Sequence, residues 1–111
     1  MKRLNIKPLT VNLAWRGGRR FRTKEYLEYE EQLAMMLPKM DIPDGPLEVR
    51  YIFGLSYKRS DYDNFIKQFQ DIISKCYGFD DSRIYRAVIE KKDVRKGDEF
   101  IEFDIFKYGK I

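Results

Sequence analysis

The residues best able to do chemistry in this chain fall in two acidic clusters. One is Asp61-Tyr62-Asp63-Asn64 with Lys67 one turn further on, and the other is Asp80-Asp81. Carboxylates are hard oxygen donors, and a group of them most naturally holds a cation such as Mg2+. With a lysine alongside, such a group suits phosphodiester hydrolysis: the cation activates water and the lysine neutralises charge on the phosphoryl oxygens. Each cluster taken alone also has a plain explanation. Acids at a helix start cap amides and complement the dipole, Asp63 and Lys67 have the i,i+4 spacing of an ion pair, and Asp-Asp commonly opens a turn. Taken together they support a sharper expectation. Asp61 and Asp63 stand where a strand ends and a helix begins, so non-helical backbone lets both carboxylates project toward one point.

The missing residue types narrow the chemistry further. The 111 residues include no histidine and one cysteine, Cys76. That excludes an intrachain disulfide, a Cys/His zinc cluster, a Ser-His-Asp triad and any histidine base. Working groups must come from carboxylates, lysine, arginine, tyrosine or hydroxyls. Cys76 lacks a histidine partner and lies on the apolar stripe of a predicted helix, so it reads as a small buried hydrophobe.

Charge is unevenly distributed. From Met1 to Lys24 there are eight basic residues and no acid, which leaves 14 Lys and Arg against 18 Asp and Glu in the rest of the chain. A basic arm on a slightly acidic body suits a polyanionic ligand. Within the arm, Trp15-Arg16-Gly17-Gly18-Arg19-Arg20-Phe21-Arg22 interleaves arginine forks for phosphates, aromatic rings that can stack on bases, and glycines that let backbone approach a ligand. An ordinary solvated loop at a tight turn is the plain alternative.

These clusters need elements to position them. Leu4 to Leu13 alternates loosely and contains Pro8, which predicts a strand that is at an edge or interrupted near the proline. Thr23 is a plausible N-cap for a helix to about Leu37, with Tyr26, Tyr29, Leu33 and Met36 at helical spacing and Met35 and Met36 as core filler. Leu47, Val49, Tyr51, Phe53, Leu55 and Tyr57 alternate strictly and predict a strand. A second helix begins near Asp61, carries Phe65, Phe69, Ile72 and Cys76 on one stripe, and stops at Gly78. Arg83 to Lys91 reads as a strand, Lys96-Gly97-Asp98 as a turn, and Phe100 to Lys107 as its hairpin partner. The order β-α-β-α-β-β implies a single α+β domain over residues 1–111, with two helices packed on a mixed sheet. No apolar run approaches membrane-spanning length, so the expected location is the cytoplasm, without a membrane partner.

At this point the residues resemble a known family, the RusA-type Holliday junction resolvases, small endodeoxyribonucleases of bacteria and their phages. The match is carried by Asp61-Tyr62-Asp63-Asn64-Phe65-Ile66-Lys67, then Asp71, then Asp80-Asp81-Ser82-Arg83-Ile84, similar to the family's D-x-D-N-x-x-K, helical Asp and D-D-x-x-I pattern. Pro8, Asn12, Trp15-Arg16, Arg19-Arg20-Phe21 and Thr23 also resemble the opening segment of phage and prophage members. The likeness covers roughly residues 8 to 90. It implies a Mg2+-dependent enzyme, with Mn2+ as a substitute, that cuts paired phosphodiesters at four-way DNA junctions in recombination and repair and works as a homodimer. On that likeness Asp61, Asp63 and Asp81 are the metal-binding and catalytic carboxylates and Lys67 the assisting cation. Arg16, Arg19, Arg20, Arg22 and Lys24 are the expected DNA contacts. Asp80 is the less matching member of its pair, and Asp71 reads as a hydrogen-bond partner of a neighbouring loop.

Linear geometry sets a condition on this site. A continuous helix from Asp63 to Cys76 extends about 20 Å, which carries Asp80-Asp81 toward the end opposite Asp61. Either the short loop folds back or Asp81 comes from another subunit, making a site shared across the dimer. The rival reading is a binding-only module that grips DNA or RNA with the arm and uses its carboxylates as caps. A third class, a protein-interaction domain, would use the tyrosines and phenylalanines as an interface.

Overall fold

The structure is a computed structural model that describes residues 1–18 and 21–109. It is a single α+β unit in which helices cover a four-stranded mixed sheet. The elements are β1 (Lys2–Leu4), α1 (Val11–Ala14), β2 (Trp15–Arg16), β3 (Phe21–Arg22), α2 (Lys24–Met36), β4 (Leu47–Leu55), α3 (Ile66–Tyr77), β5 (Ile84–Asp93) and β6 (Phe100–Lys107). Single 3₁₀ turns precede α3 (Tyr62–Phe65) and β5 (Asp81–Arg83). The main sheet runs β1-β6-β4-β5, and only β4 and β5 are parallel. The parallel pair requires a crossover, and α3 supplies it.

β4 holds the centre. Leu47, Val49, Tyr51 and Phe53 are fully buried along its helix-facing side. Phe69 of α3 stands edge-on to Tyr51, Phe53 and Phe103, with ring centroids 5.2, 6.0 and 5.8 Å away. Each such pair adds about 0.5–1.5 kcal/mol beyond area burial. Phe65, Ile72 and Ile73 complete the buried stripe of α3. Opposite Phe100, Gly54 has no alternative: a Cβ there would lie 2.3 Å from the phenylalanine ring.

Several expectations need correction. β1 stops at Leu4, because Pro8 has no N–H for a ladder and Thr10 already opens α1, its carbonyl accepting from Leu13 and Ala14. Tyr57 lies beyond the end of β4 and is exposed. α2 does run from a Thr23 cap, whose hydroxyl accepts from the Tyr26 N–H at 3.1 Å, to Met36. Met35 and Met36 of its last turn are nevertheless exposed, although Leu33 before them is buried and Leu37 after them packs against the core. Cys76 is exposed too, beside Ala34 and Tyr77 in an open groove where α2 and α3 end. β5 and β6 form no hairpin. They flank β4 on opposite sides, and Val94–Glu99 crosses the intervening strand, a step of about 10 Å. The reason is burial: Ile101, Phe103 and Ile105 give β6 a covered place, whereas β5 carries Arg86, Glu90, Lys91 and Lys92 and suits an edge.

Candidate active site

Asp61 ends the loop after β4 in extended conformation (φ −71°, ψ 142°), and its carbonyl accepts from the Asn64 N–H at 3.1 Å. That loop is latched to β5 by the Lys91 ammonium, which donates to the carbonyls of Lys58 and Ser60. Neither Asp61 nor Asp63 acts as a cap. The Asp61 side chain makes no capping bond, and among the described residues neither carboxylate has an ion-pair partner. Asp63 misses the expected pair with Lys67 because it sits in the 3₁₀ turn rather than in α3, which breaks the i,i+4 geometry. Asp80, by contrast, does cap: its Oδ1 accepts from the Ser82 N–H at 2.9 Å, and that bond holds its carboxyl below the usual range.

Lys67 is the hub. Its Nζ lies 2.8 Å from Asp71 Oδ1 and 3.4 Å from Asp81 Oδ2. The Asp71 hydrogen bond, opposed by partial burial and helped by Asp81, raises the pKa of the ammonium. Asp81 arrives from its own chain. Ten residues of helix from Lys67 to Tyr77 rise about 15 Å, and the four residues after it can reach back at most ~13 Å, with the long Lys67 side chain closing the remainder. Gly78 makes the reversal at φ 73°, where its N–H bonds the Ser74 carbonyl, and buried Phe79 pins the returning chain. The short loop therefore folds back and brings Asp81 to Lys67 within one chain.

The foot of the basic arm adjoins this hub. β2 and β3 pair through Trp15 with Arg22 and Arg16 with Phe21, and Gly17 and Gly18 both take positive φ at the start of the connection. Arg19 and Arg20 lie outside the described residues. Trp15 packs at 5.5 Å on Tyr26, and the Arg22 guanidinium lies 5.1 Å over the same ring. Burial raises the Tyr26 hydroxyl, Arg22 and Lys67 oppose, and Asp71 and Glu30 add. Tyr26 thus feels the charges of both Arg22 in the arm and the Lys67–Asp71 pair. Lys24 is engaged by Glu28, 3.8 Å away. Buried Gln68 adds a second tie, because its amide donates to the carbonyls of Leu9 and Asn64 and so joins the root of the arm to the start of α3.

Asp71 and Tyr26 carry more of the site than their places in the sequence suggest. The signal for Asp71 was present, since it stands four residues after Lys67; Tyr26 read only as a core position.

A family model for endodeoxyribonuclease RusA matches residues 7–102, from the root of the arm into β6. The chain belongs to the RusA family. RusA proteins are endodeoxyribonucleases, hydrolases that cut DNA within a strand, and resolution of Holliday junctions in recombination is the family activity. No curated protein matches the chain in sequence. The RusA match encloses the Trp15–Arg22 part of the arm, the Asp61–Asp63 turn and the Lys67 hub with Asp71 and Asp81.

The donor chemistry fits a divalent cation: carboxylate oxygens with neither thiolate nor imidazole among them. Among the described residues no group of three or more acids is placed so that it could hold a metal ion. That is compatible with Mg2+, which keeps several waters and binds through one or two carboxylates plus substrate phosphate. No helix of the described residues is long and apolar enough to cross a membrane.

Proposed function

We propose that this RusA-family protein is a Mg2+-dependent endodeoxyribonuclease that resolves four-way DNA junctions by paired phosphodiester hydrolysis, as a homodimer whose twofold symmetry suits the junction. The observation that carries this reading is the Lys67–Asp81 contact, which brings residues 14 apart in sequence onto one spot. Two exposed carboxylates free of capping duty, Asp61 and Asp63, precede it on the same helix start.

Asp61, Asp63 and Asp81 are the carboxylates from which Mg2+, or Mn2+ in its place, would draw its one or two protein ligands. When bound, the cation supplies Lewis-acid polarisation of a phosphoryl oxygen and acidifies a water. Lys67 donates to the non-bridging phosphate oxygens and stabilises the charge that develops there. Arg16 and Arg22 hold the DNA backbone beside the hub, with Arg19 and Arg20 of the same arm; Lys24 completes the basic run.

Asp81→Asn tests the reading. It should abolish junction nicking in Mg2+ while leaving junction affinity in EDTA within about twofold, because phosphate contacts carry the affinity. Retained nicking would remove Asp81 from the chemistry and favour a binding module whose acids are structural.

A further inference from the structure

Lys67 has two carboxylate partners of different standing. Asp71 is four residues along the same helix, a rigid neighbour at 2.8 Å. Asp81 sits at 3.4 Å on a 3₁₀ turn beyond the Gly78 reversal. The Lys67 ammonium is therefore a cation already lodged against the carboxylate that the proposed function assigns to Mg2+. An ammonium and a divalent ion cannot both occupy the same face of Asp81. Asp71 supplies the other end of the balance, since it offers Lys67 a shorter bond at a point that does not involve Asp81.

We propose that Asp71 is a positioning residue that draws the Lys67 ammonium toward α3 and keeps its contact with Asp81 the longer of the two, 3.4 Å against 2.8 Å, so that a divalent cation can displace it from Asp81 and Lys67 stays poised at the site's edge. The inference rests on the proposed metal-dependent nuclease reading. Without Asp71 the ammonium settles on Asp81 as its remaining partner and competes with the metal. Loss of a nearby negative charge would also weaken cation binding by simple electrostatics, so the test must separate the two causes. Lys67 does so, because only competition requires it.

The experiment measures Mn2+ binding to the full chain by calorimetry without DNA, in wild type, Asp71→Asn, Lys67→Met and Lys67→Met/Asp71→Asn, alongside the Mg2+ concentration for half-maximal junction nicking in wild type and Asp71→Asn. Asp71→Asn should weaken Mn2+ binding about tenfold, in the range by which contacting residues couple, and raise the Mg2+ requirement by a similar factor. Junction affinity in EDTA should not change. In the Lys67→Met background the Asp71→Asn effect on Mn2+ should shrink to about twofold or less. An equal loss in both backgrounds, or no loss in the first, overturns the proposal. Wild-type protein that binds junctions yet nicks none in Mg2+ or Mn2+ defeats instead the nuclease reading beneath it. A melting temperature shared by wild type and Asp71→Asn shows that the comparison concerns the site; should Asp71→Asn fail to fold, Asp71→Glu, which keeps the charge on a longer stem, is expected to bind Mn2+ as wild type does, and a tenfold loss there would contradict the proposal.

Discussion

Lys67→Met separates a catalytic lysine from an ornamental ion pair. Methionine keeps most of the aliphatic stem and removes the charge. On the stability side the Lys67 side chain is 44% exposed and its partners are 31% and 40% exposed, so solvent screens both pairs and each contributes at most about 1 kcal/mol. Removing the ammonium also leaves Asp71 and Asp81 facing one another, a repulsion of about 0.7 kcal/mol for charges ~6 Å apart in water-like surroundings. The expected destabilisation is therefore about 1–2 kcal/mol, a fall in melting temperature on the order of 10 °C for a chain of this size. On the catalytic side, deleting one donor aimed at developing charge costs about 10²- to 10³-fold in kcat. Single-turnover nicking of a four-way junction at saturating Mg2+, read beside a thermal melt and a junction gel shift, should thus show folded protein, near-normal binding and a rate down by at least about 100-fold. A rate within about fivefold of wild type would refute the reasoning, because stabilisation of that size falls below what a transition-state contact supplies.

Further outcomes follow from other parts of the molecule. Gly54→Ala should destabilise by about 1–3 kcal/mol in chemical denaturation, because the new methyl meets the Phe100 ring at 2.3 Å and the core must shift. Tyr77 has its pKa pushed up to about 12 by burial, with Cys76 adding, so its contribution to stability should hold below the ordinary tyrosine value near 10 and disappear as pH rises through about 12. Tyr77→Phe should flatten that alkaline limb, and it should cost about 1 kcal/mol at neutral pH by removing the bond to the Pro38 carbonyl; an unchanged limb would acquit Tyr77. Arg16→Ala/Arg22→Ala should weaken junction binding and lower the slope of log affinity against log salt by about 0.9 for each phosphate that is no longer neutralised, whereas an unchanged slope would take both out of the backbone-binding role.

Much of this was legible in the sequence because local rules and global packing agree. Thr23 capped its helix as its side chain predicts, Gly78 stopped α3 through positive φ, and the alternation from Leu47 to Leu55 became the buried central strand. The disagreements arose where a non-local partner decides. Strand pairing is one: a turn at Lys96-Gly97-Asp98 looks like a hairpin, yet β4 needed a neighbour on each side and drew β5 and β6 apart. Met36 and Cys76 stand at apolar spacing on their helices and are exposed all the same, because spacing alone does not say what packs over the end of a stripe. In the site, Asp61, Asp63, Lys67 and Asp81 were visible as chemistry-bearing residues. Their arrangement was not, because helical spacing favoured Asp63 for Lys67 until the 3₁₀ turn displaced it and Asp71 took the place. The return of Asp81 depends on one glycine and one buried phenylalanine, which a helix-length estimate does not count.

The most direct measurement is cleavage of a labelled four-way junction beside a matched linear duplex by the purified protein, with Mg2+ or with EDTA. Paired nicks on the junction, none on the duplex and none in EDTA are the expected result. Tight junction binding with no cleavage in Mg2+ or Mn2+ would contradict the account and return the two acidic clusters to a structural role.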